Sequence, residues 1–235
     1  MGKIIDVTGV IREGMWNYEA PYPRIKIKPM PPVPWVDTKV FCEVFEGMHS
    51  QTGTYLETPA HFYGNDDPRT CLLIEVPVEK LVNVPCVVLN IGIFEKNPEK
   101  KRHGITVSDL EGCQNAQEIR AGDAILVGTG WGRYWMDEDY LDAGPYFTRE
   151  AMDWLIAKKP AILGGDSARW ENLEHPQGFF PDFYAADILM AGPLVNLEGV
   201  TSPRCRFTAL PLKIAGTCAS PARVVITEDE GPVAD

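Results

Sequence analysis

The sequence HSQTGTYLETPAHF, residues 49–62, is the most informative stretch of the chain. If residues 53–57 adopt an extended conformation, alternate side chains project to the same side of the strand. That side then carries an amide, a phenol and a carboxyl group, from Gln51, Tyr55 and Glu57. The pattern therefore predicts a strand with one face that carries functional groups.

Two residues beyond this strand bear on its chemistry. Pro59 breaks the strand, because proline has no backbone N–H and a fixed φ, and His61 can then turn back toward Glu57. A carboxylate and an imidazole that meet there can perform general acid–base chemistry near neutral pH. The alternative interpretation is a solvated loop with two unrelated histidines, His49 and His61, and the residues alone leave both interpretations open.

Short apolar runs elsewhere predict six more strands, at residues 40–45, 86–91, 124–127, 161–163, 208–214 and 222–226. Two helices are expected between them, because Thr106 and Thr148 each stand where a helix N-cap would. Strands dispersed among only a few helices indicate a mixed α/β fold rather than a doubly wound parallel sheet.

Glycine and proline mark two further segments. The segment GTGWG, residues 128–132, follows a predicted strand as a nucleotide-binding loop would, but it lacks the G-x-G-x-x-G spacing, so no dinucleotide site is expected. A proline-rich arm or loop is predicted around residues 19–37, because the prolines within residues 29–34 enforce an extended backbone. A mobile lid, an arm on a neighbouring subunit and an ordinary surface loop all fit this segment.

The composition argues against several partners. The formal net charge is −11 and the sequence pI is about 4.9, so the surface repels nucleic-acid phosphates and anionic lipids. No run approaches the roughly 20 apolar residues that cross a bilayer. The first residues lack the apolar stretch of a secretory signal, so a cytoplasmic location is expected.

The six cysteines are widely spaced and form no C-x-x-C pair. That spacing argues against a zinc knuckle or a redox motif. Their apolar neighbours, as around Cys86, indicate reduced core or subsurface residues. A lone catalytic cysteine is the alternative, and nothing in the sequence marks one.

The 49–62 stretch resembles the signature H-x-G-T-H-x-D-x-P-x-H of the cyclase family, which includes kynurenine formamidases and isatin hydrolases. Gly53, Thr54, Pro59 and His61 match that signature in register. Further similar motifs follow in the family's order, at residues 121–124, 129–131, 150–166, 210–214 and 220–223. The resemblance implies a single cyclase-family domain over residues 1–235, with a mixed sheet of the swivelling β/β/α type.

The departures from the signature concern the metal. By resemblance, the family binds a divalent metal, commonly zinc or manganese, through two histidines and an aspartate of the signature. This chain has other residues at those positions: Gln51, Tyr55 and Glu57. Glutamate is a good zinc ligand, glutamine is a poor one, and tyrosine would need its phenol to ionise from a pKa near 10.

A later histidine and glutamate complete the family's metal site. In one register they fall at Phe183 and Val195, and in another at Ala186 and Glu198, so neither register supplies an imidazole. A catalytic zinc needs about three protein ligands. No metal cofactor is therefore expected, and zinc or manganese is expected only if the altered set still binds it.

The resemblance also implies roles for individual residues. His61 matches the family's proton-transfer histidine, and Glu57 is expected to share that role. Gln51 and Tyr55 are expected to hydrogen-bond the substrate oxygen. Two aromatic residues are assigned to substrate binding as well: Tyr18 and Phe183.

The resulting hypothesis is a cyclase-family enzyme that acts on a small carbonyl compound. Hydrolysis of an amide, lactone or formamide is the expected reaction, and a metal-independent proton transfer by Glu57 and His61 is a related variant. The alternative is a non-catalytic ligand-binding or structural relative that has lost the metal site. A homo-oligomer, dimer or tetramer, is expected, and neither nucleic acid nor membrane is expected as a partner.

Overall fold

A computed structural model of the protein describes residues 2–36, 40–99 and 101–228. The strands within these ranges are β1 Lys3–Asp6, β2 Lys26–Pro29, β3 Glu43–Glu46, β4 Tyr55–Glu57, β5 Val84–Asn90, β6 Gly104–Ile105, β7 Ala124–Gly128, β8 Tyr146–Phe147, β9 Ile162–Gly165, β10 Leu189–Gly192, β11 Cys205–Pro211 and β12 Ala219–Glu228. The α-helices are α1 Ala60–Tyr63, α2 Val107–Glu111, α3 Tyr140–Ala143, α4 Arg149–Ala157 and α5 Phe180–Ala185. None of the helices described is long and apolar enough to cross a membrane.

The main sheet is mixed and closes on itself. Its strand order is β1-β12-β11-β5-β7-β9-β10-β4, and β4 also pairs with β12, so the strands from β12 round to β4 form a ring. Strands β5, β7, β9 and β10 run parallel to one another, while β4, β11 and β12 pair antiparallel with their neighbours. The mixed α/β fold predicted from the sequence is thus confirmed.

Alternate residues of the ring strands enter two different cores. Val88 and Leu126 belong to an apolar cluster that draws on all the strands of the ring and lies inside it. Their neighbours Val87 and Ile125 belong to a second cluster, which packs beneath α2, α4 and α5. Burial of both faces explains why these strands read as continuous apolar runs in the sequence.

Strand β4 closes the ring and carries Tyr55 and Glu57 of the signature stretch. Leu56 is fully buried in the cluster inside the ring, so Tyr55 and Glu57 project to the opposite side. The backbone of Glu57 lies opposite Met190 of β10 on one edge and Ala219 of β12 on the other. The segment predicted to be extended over residues 53–57 is a strand only from Tyr55 to Glu57, because Gly53 has a left-handed φ of 72° and lies in a bend there.

Most of the other predicted elements also occur, with shifted ends. Thr106 and Thr148 cap α2 and α4, and each side chain accepts a hydrogen bond from a backbone N–H of the first turn. The strand predicted at residues 208–214 lies three residues earlier, because Leu212 and the residues after it leave the sheet. The cysteines described are all free, but Cys42 is exposed rather than subsurface.

The proline-rich arm is part of a separate two-stranded hairpin. Strand β2 pairs with β3 antiparallel, and the connection between them contains the proline run. Trp35 and Phe41 of this connection are among the most exposed large apolar side chains described, at 80% and 84%. The last residue of the predicted arm, Asp37, lies outside the described residues.

The GTGWG segment binds a carboxylate of its own chain. The backbone N–H groups of Thr129 and Trp131 donate to Asp166 Oδ2 at 2.9 and 3.0 Å. The Thr129 hydroxyl donates to Asp166 Oδ1 at 2.7 Å. Gly130, with φ of 69°, provides the left-handed turn between the two donors. Burial of Asp166 is the largest influence on its pKa and raises it to about 6, although these hydrogen bonds act to lower it.

Candidate active site

Glu57 lies at the centre of the candidate site. Its side chain is 1% exposed, and both of its oxygens accept hydrogen bonds. Gln51 Nε2 donates to Oε2 at 2.7 Å, and the Tyr184 hydroxyl donates to Oε1 at 2.7 Å. Burial raises the pKa of Glu57 above its ordinary value, although His61, Tyr184 and Gln51 act to lower it. A carboxyl group in this state is a stronger base than an exposed glutamate.

His61 connects this carboxyl group to the surface. Strand β4 ends at Glu57, Pro59 begins the short helix α1, and the helix returns the imidazole toward the strand. His61 Nδ1 lies 3.6 Å from Glu57 Oε2, and the His61 side chain is 38% exposed. A buried carboxyl group and a solvent-accessible imidazole are therefore adjacent, which agrees with the first of the two interpretations that the sequence left open.

Two phenols lie beside the carboxyl group. The hydroxyls of Tyr18 and Tyr55 are 3.1 Å apart, and the Tyr18 hydroxyl also donates to the Ala168 carbonyl at 3.2 Å. Burial raises the pKa of each phenol, and for Tyr55 the effect is large. Both are therefore neutral near pH 7 and act as hydrogen-bond donors or acceptors rather than as phenolates.

The segment that supplies Tyr18 also orients Gln51. The Tyr22 hydroxyl donates to Gln51 Oε1 at 3.1 Å, so the amide oxygen faces Tyr22 and the amide nitrogen faces Glu57. The Gln51 backbone N–H donates to His49 Nδ1 at 3.3 Å, and His49 Nε2 then carries the proton and donates to Asn17 Oδ1 at 3.1 Å. His49 therefore supports the site from outside rather than lining it.

An ion pair also holds the segment of residues 17–22 in place. Glu19 forms an ion pair with Arg169, the residue that follows the carbonyl bound by Tyr18. A cavity of about 870 Å³ adjoins this segment and reaches Tyr18 and Tyr22. Glu57 is not among the residues that line this cavity.

Tyr184, which follows the predicted ligand position Phe183, donates a hydrogen bond to Glu57. Phe183 is fully buried under the sheet and packs edge-on against Trp170, with ring centroids 5.7 Å apart. The structure therefore does not bring Phe183 to Glu57. Tyr184 was not predicted from the sequence, because both alignments of the later metal-ligand positions look for an imidazole and not for a hydroxyl. Glu198, the glutamate of the second register, is exposed on a 3₁₀ turn.

The fold of this chain is found again in known proteins. The Cyclase family model matches residues 5–172 of the chain. The chain belongs to the cyclase family. A search of the curated proteins gave no sequence match.

Solved structures show the same cyclase-family fold. An isatin hydrolase bound to the product analogue thioisatinate is 20% identical, with a TM-score of 0.77 over 97% of this chain and 93% of that chain. Isatin hydrolase A from Ralstonia solanacearum is 23% identical, with a TM-score of 0.74 over 95% and 91%. A potential metal-dependent hydrolase with cyclase activity is 23% identical, with a TM-score of 0.71 over 98% and 100%.

The metal implied by some of these cyclase-family structures does not fit the donor set of this chain. Gln51 turns its NH₂ group, not its oxygen, toward the centre of the site, and both oxygens of Glu57 already accept hydrogen bonds. The Tyr55 phenol is neutral, since burial raises its pKa. Across residues 2–36, 40–99 and 101–228, no three histidine, cysteine, aspartate or glutamate side chains are placed to hold a metal ion.

The Tyr184 hydrogen bond to Glu57 can be tested directly. Tyr184→Phe removes the donor and keeps the ring, so the ionised carboxylate loses stabilisation and the pKa of Glu57 should rise further. Carbon NMR of the Glu57 carboxyl group during a pH titration measures this shift. Tyr63→Phe, which removes the hydroxyl of the half-buried tyrosine at the end of α1, is the matched control. An unchanged titration in Tyr184→Phe would show that this phenol does not influence the carboxyl group.

Proposed function

We propose that this chain is an enzyme that hydrolyses an amide, lactone or formamide bond in a small carbonyl compound, without a bound metal. The observation that carries the proposal is the buried Glu57, with its raised pKa, next to the partly exposed imidazole of His61. Membership of the cyclase family and the similarity to isatin hydrolases support hydrolysis as the type of reaction.

The proposed reaction uses the two groups in sequence. Ionised Glu57 removes a proton from the attacking water, whose oxygen bonds to the carbonyl carbon. His61 Nε2 then donates its proton to the leaving nitrogen or oxygen, while Nδ1 receives the proton that Glu57 had taken up. The carbon–heteroatom bond breaks, and Glu57 is again ionised. The imidazole, now protonated on Nδ1, returns to the Nε2–H form by proton exchange with solvent.

The neutral phenols suit the charge that develops on the substrate. A carbonyl oxygen becomes more negative as water adds, and a donor held in a buried site stabilises that charge. Tyr55 supplies such a donor next to Glu57 when its hydroxyl turns from the Tyr18 oxygen to the substrate, whereas the Tyr18 hydroxyl donates to the Ala168 carbonyl. Gln51 holds the carboxylate in place, because its amide is fixed between Tyr22 and Glu57.

A second candidate reaction is proton transfer without hydrolysis, such as isomerisation or dehydration of an enolisable carbonyl compound. The donor set favours this candidate, because it lacks the ligands that would hold a metal to lower the pKa of water to about 7. Solvent isotopes separate the two reactions. Hydrolysis transfers ¹⁸O from labelled water into the product, whereas isomerisation in D₂O places deuterium on carbon and incorporates no ¹⁸O.

The alternative to an enzyme is a ligand-binding relative whose site no longer reacts. A panel of small amides, lactones, formamides and enolisable acids should therefore be assayed with the wild type and with His61→Ala. We expect turnover in the wild type to exceed that of His61→Ala by at least about a hundredfold. His175→Ala, at an exposed histidine, should keep the wild-type rate. Equal rates in His61→Ala and wild type would remove His61 from the mechanism, and tight binding without turnover would favour the alternative.

Activity should not depend on a metal. After treatment with a chelator and desalting, the protein should retain its full rate, and elemental analysis should find far less than one zinc or manganese per chain. The physical reason is that carboxylate, neutral phenol and amide NH₂ cannot replace three strong ligands. A stoichiometric metal whose removal abolishes activity, and whose return restores it, would contradict this proposal.

A further inference from the structure

Cys218 is the nearest group to His61 that the proposed mechanism leaves unused. Its sulfur lies 3.9 Å from His61 Nδ1, within hydrogen-bonding range for sulfur. The Cys218 carbonyl accepts a hydrogen bond from the Thr58 backbone at 2.9 Å, which holds the cysteine against the 57–61 segment. Cys218 is partly exposed and forms no disulfide.

His61 Nδ1 therefore faces two possible partners of opposite character. Glu57 Oε2 could only accept a proton, but it lies 3.6 Å away, just beyond hydrogen-bonding distance. Both oxygens of Glu57 are also engaged by Gln51 and Tyr184 at 2.7 Å. The Cys218 thiol can donate, and burial together with the nearby Glu57 raises its pKa, so the sulfur keeps its proton near pH 7.

The partner of one ring nitrogen sets which nitrogen carries the proton. A thiol that donates to Nδ1 requires the lone pair there, so the proton of the neutral ring resides on Nε2. Within the described part of the chain, no group forms a hydrogen bond with His61 Nε2, and the His61 side chain is 38% exposed. The proton is thus presented on the nitrogen that is free to meet a substrate.

We infer that Cys218 is a positioning residue that holds the neutral form of His61 in the Nε2–H tautomer, so that Nδ1 is unprotonated and can receive a proton from Glu57 when the thiol turns away. The catalytic part of this inference rests on the proposed function, because the proposed proton transfer through His61 needs an unprotonated Nδ1 and a proton on Nε2. The tautomer itself is a property of the resting protein and is measurable without a substrate.

Nitrogen NMR of the histidine side chains tests the inference, because the two tautomers have different ¹⁵N shifts. The chain has four histidines, and the His61→Ala spectrum identifies the His61 signals. We expect the wild type to show Nε2–H and Cys218→Ala to shift toward Nδ1–H, since the ionised Glu57 carboxylate, which can only accept, is then the partner that remains for Nδ1. Cys218→Ser, whose hydroxyl can also donate, should restore the Nε2–H form. Cys42→Ser, at an exposed cysteine, controls for loss of a thiol.

Turnover supplies the second readout. Cys218→Ala should lower kcat about threefold to tenfold, the usual effect of one hydrogen bond, and Cys218→Ser should recover most of that loss. An unchanged tautomer in Cys218→Ala would overturn the inference, as would an acyl adduct found on Cys218 by mass spectrometry, which would make the sulfur a nucleophile. A tautomer shift in a protein that turns over no carbonyl compound would support the inference and contradict the proposed function.

Discussion

Replacement of Glu57 by glutamine should lower turnover by about a hundredfold to ten-thousandfold, the range that a positioned general base contributes. The amide has no basic oxygen to take the proton of water. In addition, Gln51 Nε2 and the Tyr184 hydroxyl both donate to this position, and the introduced NH₂ group can accept from neither. Steady-state rates of wild type and Glu57→Gln on the substrate found in the panel measure the effect.

Two controls separate chemistry from folding. Glu198→Gln changes an exposed glutamate and should leave the rate within about twofold of wild type. Circular dichroism and thermal unfolding of Glu57→Gln should show a folded protein at the assay temperature. A folded Glu57→Gln protein with wild-type turnover would refute the role of the carboxylate.

The same residue predicts the pH dependence of the reaction. The pKa of Glu57 is raised by burial, and the ionised form is the active base. The rate should therefore rise with pH through an apparent pKa above the ordinary glutamate value of about 4.3, and it should fall on the acid side at a higher pH than for an exposed carboxylate. A profile that is flat down to pH 4 would contradict this assignment.

The largest effect on stability should come from Asp166→Ala. Asp166 is 1% exposed, and its carboxylate accepts from two backbone N–H groups and the Thr129 hydroxyl. The substitution leaves those buried donors without an acceptor, so the free energy of unfolding should fall by about 3–5 kcal/mol. Urea unfolding of wild type and Asp166→Ala measures the loss. Asp66→Ala, at an exposed aspartate, should change the free energy by less than about 0.5 kcal/mol.

Asp166 also predicts how stability varies with pH. Its pKa is about 6 in the folded protein, against a reference value of 3.8, so between those values the folded state binds more protons than the unfolded state. The free energy of unfolding therefore decreases as pH rises from about 4 to about 6. Asp166→Ala should lack this decrease, so the stability difference between the two proteins should be larger at pH 4 than at pH 7. An equal difference at both values would contradict the raised pKa.

The fold was predictable where the sequence pattern is periodic and continuous. Alternation over residues 53–57 and the threonine caps of α2 and α4 are local signals. The structure contains both caps, and it contains the predicted strand from Tyr55 to Glu57. The closure of the sheet was not predictable from these signals. It depends on β4 pairing with β10 and β12, which are distant in sequence and bear no local mark of that pairing.

The candidate site was predictable only within one segment. Gln51, Glu57 and His61 are close in sequence, and the turn at Pro59 brings them together as the residue types suggested. Tyr184 and Cys218 come from α5 and from the turn before β12, so only the folded chain shows that they meet Glu57 and His61. Their roles as donors to a carboxylate and an imidazole leave no sequence motif.

The ring of strands has a consequence for how this protein family changes over time. Strand β4 is only three residues long, yet its backbone pairs with β10 along one edge and with β12 along the other. The peptide path past Glu57 is therefore set by main-chain atoms that every amino acid possesses, and the side chains on its outer side contribute little to that path. Mutation can accordingly exchange one set of reactive groups for another on an unaltered scaffold. Amide hydrogen exchange should detect this double pairing as slowly exchanging backbone N–H groups in β4, a strand too short to be protected by itself.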